Sequence, residues 1–349
     1  MDPDKHQSPQ TEGVNEDVET LGELFKEPSS LPEVSANMRG FASEQEAHDV
    51  GSMVLGFLRA FGTFLNLERL IAVTVAFDYD QALADVQQGF SSSKKATKTQ
   101  DDFATGVAMA ATVLRDGRPS SHLVINAAVV YPLRGDLDGV GAKLALHVLA
   151  HEAAHVHDLA MQDRAFPGLY GSEIADYREG ILFGVALQCW DEYIACRLSA
   201  EFGNTQDRIT HFEDPFCAAL ETARGRGDSA IIAYRTHAMV ETLVSEFQAI
   251  YGRVLIYGAY LLGHLDGLEK SMNEAAPKAH NLIQQTNYFR PIFQRFESAL
   301  QTMKSTYGKW SSLDVFDALK AVVEELLNTA GIRFVKLPSG SYWINVPLT

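Results

Sequence analysis

His147-Val-Leu-Ala-His151-Glu152-Ala153-Ala154-His155-Val-His157-Asp158 is the stretch on which the reading of this chain turns. It sits in a run from 142 to 161 that contains neither Gly nor Pro and has helical character throughout. At about 100° per residue, His151 and His155 lie roughly 40° apart and one turn apart on the same face. Both imidazoles can therefore reach a single tetrahedral ion. Glu152 stands about 100° round from His151, beside such an ion and not on it, where a carboxylate can take a proton from a water. His147 and Asp158 flank the two histidines on the same face, either orienting a ligand imidazole or forming a helix-surface pair. His157 points away from that face.

Upstream, 70–77 is β-branched and apolar and reads as a buried strand, followed by a short helix over 79–86. The segments 107–114 and 122–130 read as strands joined by Arg115-Asp-Gly-Arg-Pro119, whose turn chemistry makes them a hairpin. The strand over 122–130, the last before the motif, is the expected edge for an extended peptide to pair with. The stretch 91–102 is polar and reads as a surface loop.

Two histidines do not complete a catalytic zinc site, so a third ligand is required. Leu187-Gln-Cys-Trp-Asp-Glu192-Tyr-Ile-Ala-Cys196-Arg-Leu-Ser-Ala200 is helical in period and far enough downstream to return antiparallel to the motif helix. Glu192 is the leading candidate. Asp191, about 100° away on that helix, is an alternative, as are Glu173, Asp176 and Glu179 in the intervening stretch. Cys189 and Cys196 share one face of this helix, where packing is the commoner role for cysteine.

Strands, an HExxH helix and a later glutamate helix together resemble the zincin metallopeptidases of the gluzincin kind, over residues 65–203. The metzincin extension would need glycine at 158 and histidine at 161, where this chain has Asp158 and Met161. In gluzincins an acidic or amide residue often stands four positions after the ligand glutamate, to bond a metal histidine. Here that place is Cys196. Ala195, Ser199 and Ala200 are also similar, at motif level, to ImmA/IrrE-type bacterial regulatory peptidases. The resemblance implies Zn²⁺ held by His151, His155 and Glu192, with Glu152 as general base in peptide hydrolysis and His147, Asp158 and Cys196 as residues around the ligands. His211, His237, His264, Tyr193, Tyr234, Tyr251 and Tyr257 remain open as oxyanion donors.

The 349 residues carry 29 basic and 45 acidic side chains, a net charge of −16, which disfavours nucleic acid as a partner. Three cysteines make no disulfide framework, the first residues have no apolar signal core, and no run of 18 apolar residues lacks a charge. A cytoplasmic protein away from membranes is expected. Residues 1–40 are acidic, proline-bearing and poor in apolar side chains, so they are expected to remain a disordered tail, with 18–25 as its one amphipathic turn.

The expected fold class is α+β and mostly helical. Residues 41–204 would form a zincin-like catalytic domain. Residues 205–349 would form a helical region, with helices over 274–286, 291–303 and 312–330, ending in a hairpin that turns at Pro338-Ser339-Gly340. Between 230 and 268 one long helix, or two broken near Gly252 or Gly258, is expected. That region would cover the groove beside the motif, or serve a regulatory protein partner or a homo-oligomer, and would restrain activity on generic substrates. The expected function is zinc-dependent hydrolysis of a specific protein or peptide substrate. The alternative is a catalytically silent binding or regulatory protein on the same fold.

Overall fold

The computed structural model describes residues 28–90, 106–172, 174–203 and 205–346. The 18–25 turn and the 91–102 loop lie outside these residues. Within them the chain is a mixed α+β protein, dominated by helix around a small sheet. No described helix is long and apolar enough to cross a membrane.

The sheet has four strands in the order β1-β2-β4-β3: β1 (Ala36–Arg39), β2 (Leu70–Ala76), β3 (Ala108–Arg115) and β4 (Arg118–Asn126). β1 and β4 both run parallel to β2, with Met38 opposite Val75 and Thr74 opposite Val124. β3 returns antiparallel to β4, with Ala110 opposite Leu123, and closes the far side of the sheet. The turn at Asp116 and Gly117 has both residues at positive φ (51° and 74°), as the twist of a tight hairpin requires.

The strand before the motif is not an edge, because β4 lies between β2 and β3. The edge is β3. Nor is the chain a tail up to residue 40. Ala36–Arg39 is a sheet strand, and Ser30 ties the preceding segment down, donating to the carbonyls of Gly62 and Leu65 and accepting from the Leu67 N–H.

Helix α1 (Glu44–Phe61), capped by Ser43 on the Glu46 N–H, packs Val50, Val54, Phe57 and Leu58 against the sheet. A short α2 (Tyr79–Ala84) and a one-turn α3 (Ala127–Val130) follow β2 and β4. The motif helix, α4 (Val140–Ala165), buries Leu149, Ala153 and Val156 in the sheet core. Helix α5 (Tyr177–Leu198), started by Asp176 on the Glu179 N–H, belongs instead to a second core that runs on to the C-terminal hairpin. Its Cys189, Trp190, Tyr193 and Cys196 are fully buried along one broad face, while Tyr177 and Gln188 remain exposed.

The remaining elements are helices α6 (Thr205–His237), α7 (Val240–Phe247), α8 (Arg253–Gly267), α9 (Met272–Ala275), α10 (Pro277–Gln285), α11 (Arg290–Ser305) and α12 (Asp317–Ala330), with the terminal hairpin of β5 (Arg333–Lys336) and β6 (Tyr342–Asn345). The helix expected from 230 onward instead breaks at Ala238, at φ 56°, between α6 and α7. A π-turn over Gln248–Gly252 then joins α7 to α8. The 274–286 segment divides at Pro277, which cannot donate to a continuing helix.

Helix α8 lies directly on α5. A Cβ at Gly263 would sit 2.1 Å from the Tyr193 carbonyl oxygen, and one at Gly267 would sit 2.3 Å from that of Arg197. These two glycines, one turn apart, let the backbones approach where any side chain would hold them off. Asp266 locks the pair from the side, accepting from Tyr193, Arg197, Gln301 and Lys304.

Candidate metal centre and its cavity

The α4 spacing brings His151 and His155 together, and antiparallel packing of α5 adds Glu192. Their Nε2 atoms are 3.1 Å apart, and Glu192 Oε2 lies 3.4 Å from the first and 3.5 Å from the second. Among the described residues these three form the group able to hold a metal ion. Ligand atoms about 2.0–2.1 Å from a tetrahedral zinc stand roughly 3.3–3.4 Å from one another, so the observed triangle fits such an ion.

The chemistry of the donors agrees with the distances. Glu192 Oε2 is buried without a hydrogen bond, a costly state for a carboxylate oxygen. Burial works against a charged His155, yet the Glu192 carboxylate outweighs it and raises the imidazole above its ordinary pKa. The same pairing holds the Glu192 carboxyl well below the usual carboxylate range, against the upward push of burial.

Glu152 is buried beside the triad, and its Oε2 accepts the Ala110 N–H at 2.6 Å. The motif carboxylate is thus tied to the edge strand of the sheet. Cys196 Sγ is 3.8 Å from His151 Nδ1, so a thiol does occupy the position where an acid or amide was the expected form. Burial pushes that thiol's pKa well up, and Glu192 adds to the effect, which keeps it protonated.

His147 and Asp158 do not bond the ligand imidazoles. Both are buried, so neither is a surface residue. His147 Nδ1 pairs with the Phe202 carbonyl at 3.2 Å, and burial drives its pKa well down. Asp158 accepts from Gln162, Tyr307 and Trp190 at 2.7, 2.8 and 3.3 Å, joining α4, α5 and the end of α11. Asp191 is bridged to Asp158 through the same Gln162 amide and stays outside the triad. Asp176 caps α5, Glu179 pairs with Lys320, and Glu173 lies outside the described residues. His157 turns away and accepts the Asn66 N–H at 2.8 Å.

The triad opens into a cavity of about 680 Å³, bounded by β3, α4, α5, α6 and α8. Of the open oxyanion candidates, Tyr257 and His211 line it, whereas Tyr193 is committed to Asp266 and His264 packs against His147 and Phe212. Tyr260, which also lines the cavity, was not among them. Tyr260 stacks on His151 with ring centroids 6.1 Å apart and planes 14° apart, and its hydroxyl interacts with Glu192. Burial, then Glu192, raises its pKa well above the ordinary phenol value, so it retains its proton. The sequence signal that could have found it is the pair Gly263 and Gly267, which sets that face of α8 against α5. No family model, curated protein or solved structure matches the chain.

Proposed function

We propose that the chain is a zinc-dependent metallopeptidase acting on a protein or peptide, with His151, His155 and Glu192 as metal ligands and Glu152 as general base. The observation that carries this reading is the triangle of ligand atoms at tetrahedral spacing, with a buried glutamate beside it. The order of a small sheet, an HExxH helix and a glutamate helix is similar to a gluzincin core.

When bound, zinc supplies a Lewis acid that lowers the pKa of water towards about 7 and polarises a carbonyl. Glu152 takes the proton of the attacking water and passes it to the leaving amine nitrogen. The Ala110 N–H orients that carboxylate through Oε2, and the proton travels by the other oxygen. Tyr260, protonated and beside the triad, donates to the carbonyl oxygen as negative charge builds on it. The outer edge of β3 borders the cavity and can take an extended peptide as an added strand. The wall from α6 and α8 narrows entry, which favours a specific substrate over generic ones such as casein.

One observation favours the alternative, a metal-holding binding or regulatory protein without turnover: Glu152 already occupies an edge donor that a substrate strand would use. The deciding experiment compares wild type, His151→Ala and Glu152→Gln, each purified without added metal. Wild type and Glu152→Gln should carry about one zinc per chain, and His151→Ala should carry almost none. Incubated with cell lysate, zinc-loaded wild type should generate cleavage products that Glu152→Gln does not, a loss of about 10²–10⁴-fold. Cleavage at equal rates would remove Glu152 as the base. Metal without any cleavage would favour the binding protein.

A further inference from the structure

The acids that line the cavity all stand on one side of it. The side made by α4 and α5 presents Glu152, Asp158, Asp191 and Glu192. The side made by α6 and α8 presents the guanidiniums of Arg208 and Arg253, beside His211, whose imidazole burial pushes below its ordinary pKa, and contributes no acid to the lining. In a chain of net charge −16 this concentration of cations is local and directed inward.

Both helices contribute a single face. Arg208, Phe212 and Pro215 are spaced i, i+4, i+7 on α6, and Arg253, Tyr257 and Tyr260 have the same spacing on α8. Their rings form a continuous path away from the metal ligands. Tyr260 stacks on His151, Phe212 stacks on Tyr260 at 5.6 Å and 18°, and His211 meets Phe212 at 5.7 Å. On α8 the path continues from Tyr260 to Tyr257 at 6.2 Å, where the Arg253 guanidinium lies 5.9 Å over the ring. Arg208 is partly buried at the end of this path, and Asp207, its neighbour in the chain, is the opposite charge that acts on it.

We infer that the α6–α8 wall is a substrate subsite for a carboxylate, held by Arg208 beyond an apolar ring surface. The inference rests on the metallopeptidase reading only in taking the cavity as the substrate's. A guanidinium offers paired donors that match a carboxylate, and a half-desolvated one binds it more strongly than an exposed one would. A neutral amide in that place leaves the cation without a partner, and a basic side chain is repelled. The subsite therefore selects peptides with a free C-terminal carboxylate, or with Asp or Glu, at the residue that passes the rings. Local positive potential is also what lets an anionic segment enter an acidic protein at all.

The probes are three dansylated hexapeptide pools of otherwise randomised sequence: one with a free C-terminus, one amidated, and one amidated with a fixed internal Glu. Binding is read by fluorescence anisotropy against Glu152→Gln protein, with and without Arg208→Gln or Arg208→Lys, and zinc content is measured on every sample. At least one carboxylate pool should bind about tenfold or more tightly than the amidated pool. Preference for the first pool alone identifies the C-terminal carboxylate, and preference for the third identifies the acidic side chain. Arg208→Gln should abolish the preference at unchanged zinc content, and Arg208→Lys should keep part of it, which also guards against simple misfolding. Equal binding of all three pools, or full preference in Arg208→Gln, overturns the subsite. Carboxylate preference in protein that holds no zinc would uphold the subsite while removing the metallopeptidase reading.

Discussion

The two walls of the cavity are built by different means. On the α4 side the chemistry comes from spacing within one helix: His155 stands four positions after His151, and Glu152 stands at the next position after His151. On the α6–α8 side nothing is local. Tyr260 reaches His151 only because Gly263 and Gly267 let α8 settle onto the backbone of α5, and Arg208 reaches the same cavity from a helix some fifty residues earlier. One wall is acidic and suited to an ion. The other is aromatic and cationic and suited to whatever the ion acts on. Chemistry written in helical period survives changes of packing, whereas chemistry written in backbone approach depends on it.

That contrast can be broken most forcefully at the local wall. His155→Ala removes a ligand outright and should weaken zinc binding by more than about a hundredfold, beyond the range seen when only a supporting hydrogen bond is lost. Metal analysis after dialysis against a competing chelator measures it, and full retention would end the assignment of the triad. The distant wall is best tested at Gly263→Ala. The added methyl meets backbone, which cannot rotate away, so a loss of about 1–3 kcal/mol or more is expected in denaturant unfolding. Zinc affinity should fall less than in His155→Ala, since the α4 ligands do not depend on α8.

A smaller effect should follow Cys196→Ala. Sulfur is a weak acceptor for the His151 Nδ1–H, so zinc affinity should drop by about tenfold or less, the low end for such partners. The smallest concerns the lock between α5 and α8. Burial tends to raise the Asp266 carboxyl, but its bonds to Lys304, Gln301, Arg197 and Tyr193 outweigh that and lower it. A carboxylate whose folded pKa is depressed contributes stability above its unfolded value and loses it as pH falls through the folded one. Asp266→Asn should therefore melt below wild type near neutrality, and the two melting temperatures should converge below about pH 4.

The sequence was legible where one periodicity sufficed. The motif helix, the glutamate helix and the terminal hairpin stand close to where alternation, helical period and turn residues put them, and so does the β3–β4 pairing, although β4 runs over 118–126 and the expected strand residues 127–130 form a turn of helix. β1 was hidden because Ala-Asn-Met-Arg is short and half polar, and gains its meaning only by pairing with β2. The edge strand was misassigned because the hairpin fixes which strands pair with each other, not which of them then lies against β2. His147 and Asp158 share a face with the ligands as expected. Phe202 after α5, Trp190 on α5 and Tyr307 after α11, none of them visible from α4 alone, occupy their polar atoms instead, together with Gln162 one turn along α4. Tyr260 sits in an apolar, tyrosine-rich tract in which Tyr251 and Tyr257 looked equivalent to it.

The hydrogen bond from Ala110 to Glu152 also bears on how this fold guards an open strand. An edge strand with free donors is a template on which other chains can assemble, and natural sheets commonly blunt it with charge, proline or a bulge. Here β3 is blunted from inside. A carboxylate from α4 occupies one of its donors, and α6 and α8 stand across the cavity on which the strand borders. Displacing those two helices would leave a sheet edge facing bulk solvent, so damage to the helical half should show itself as aggregation before it shows itself as unfolding of the sheet.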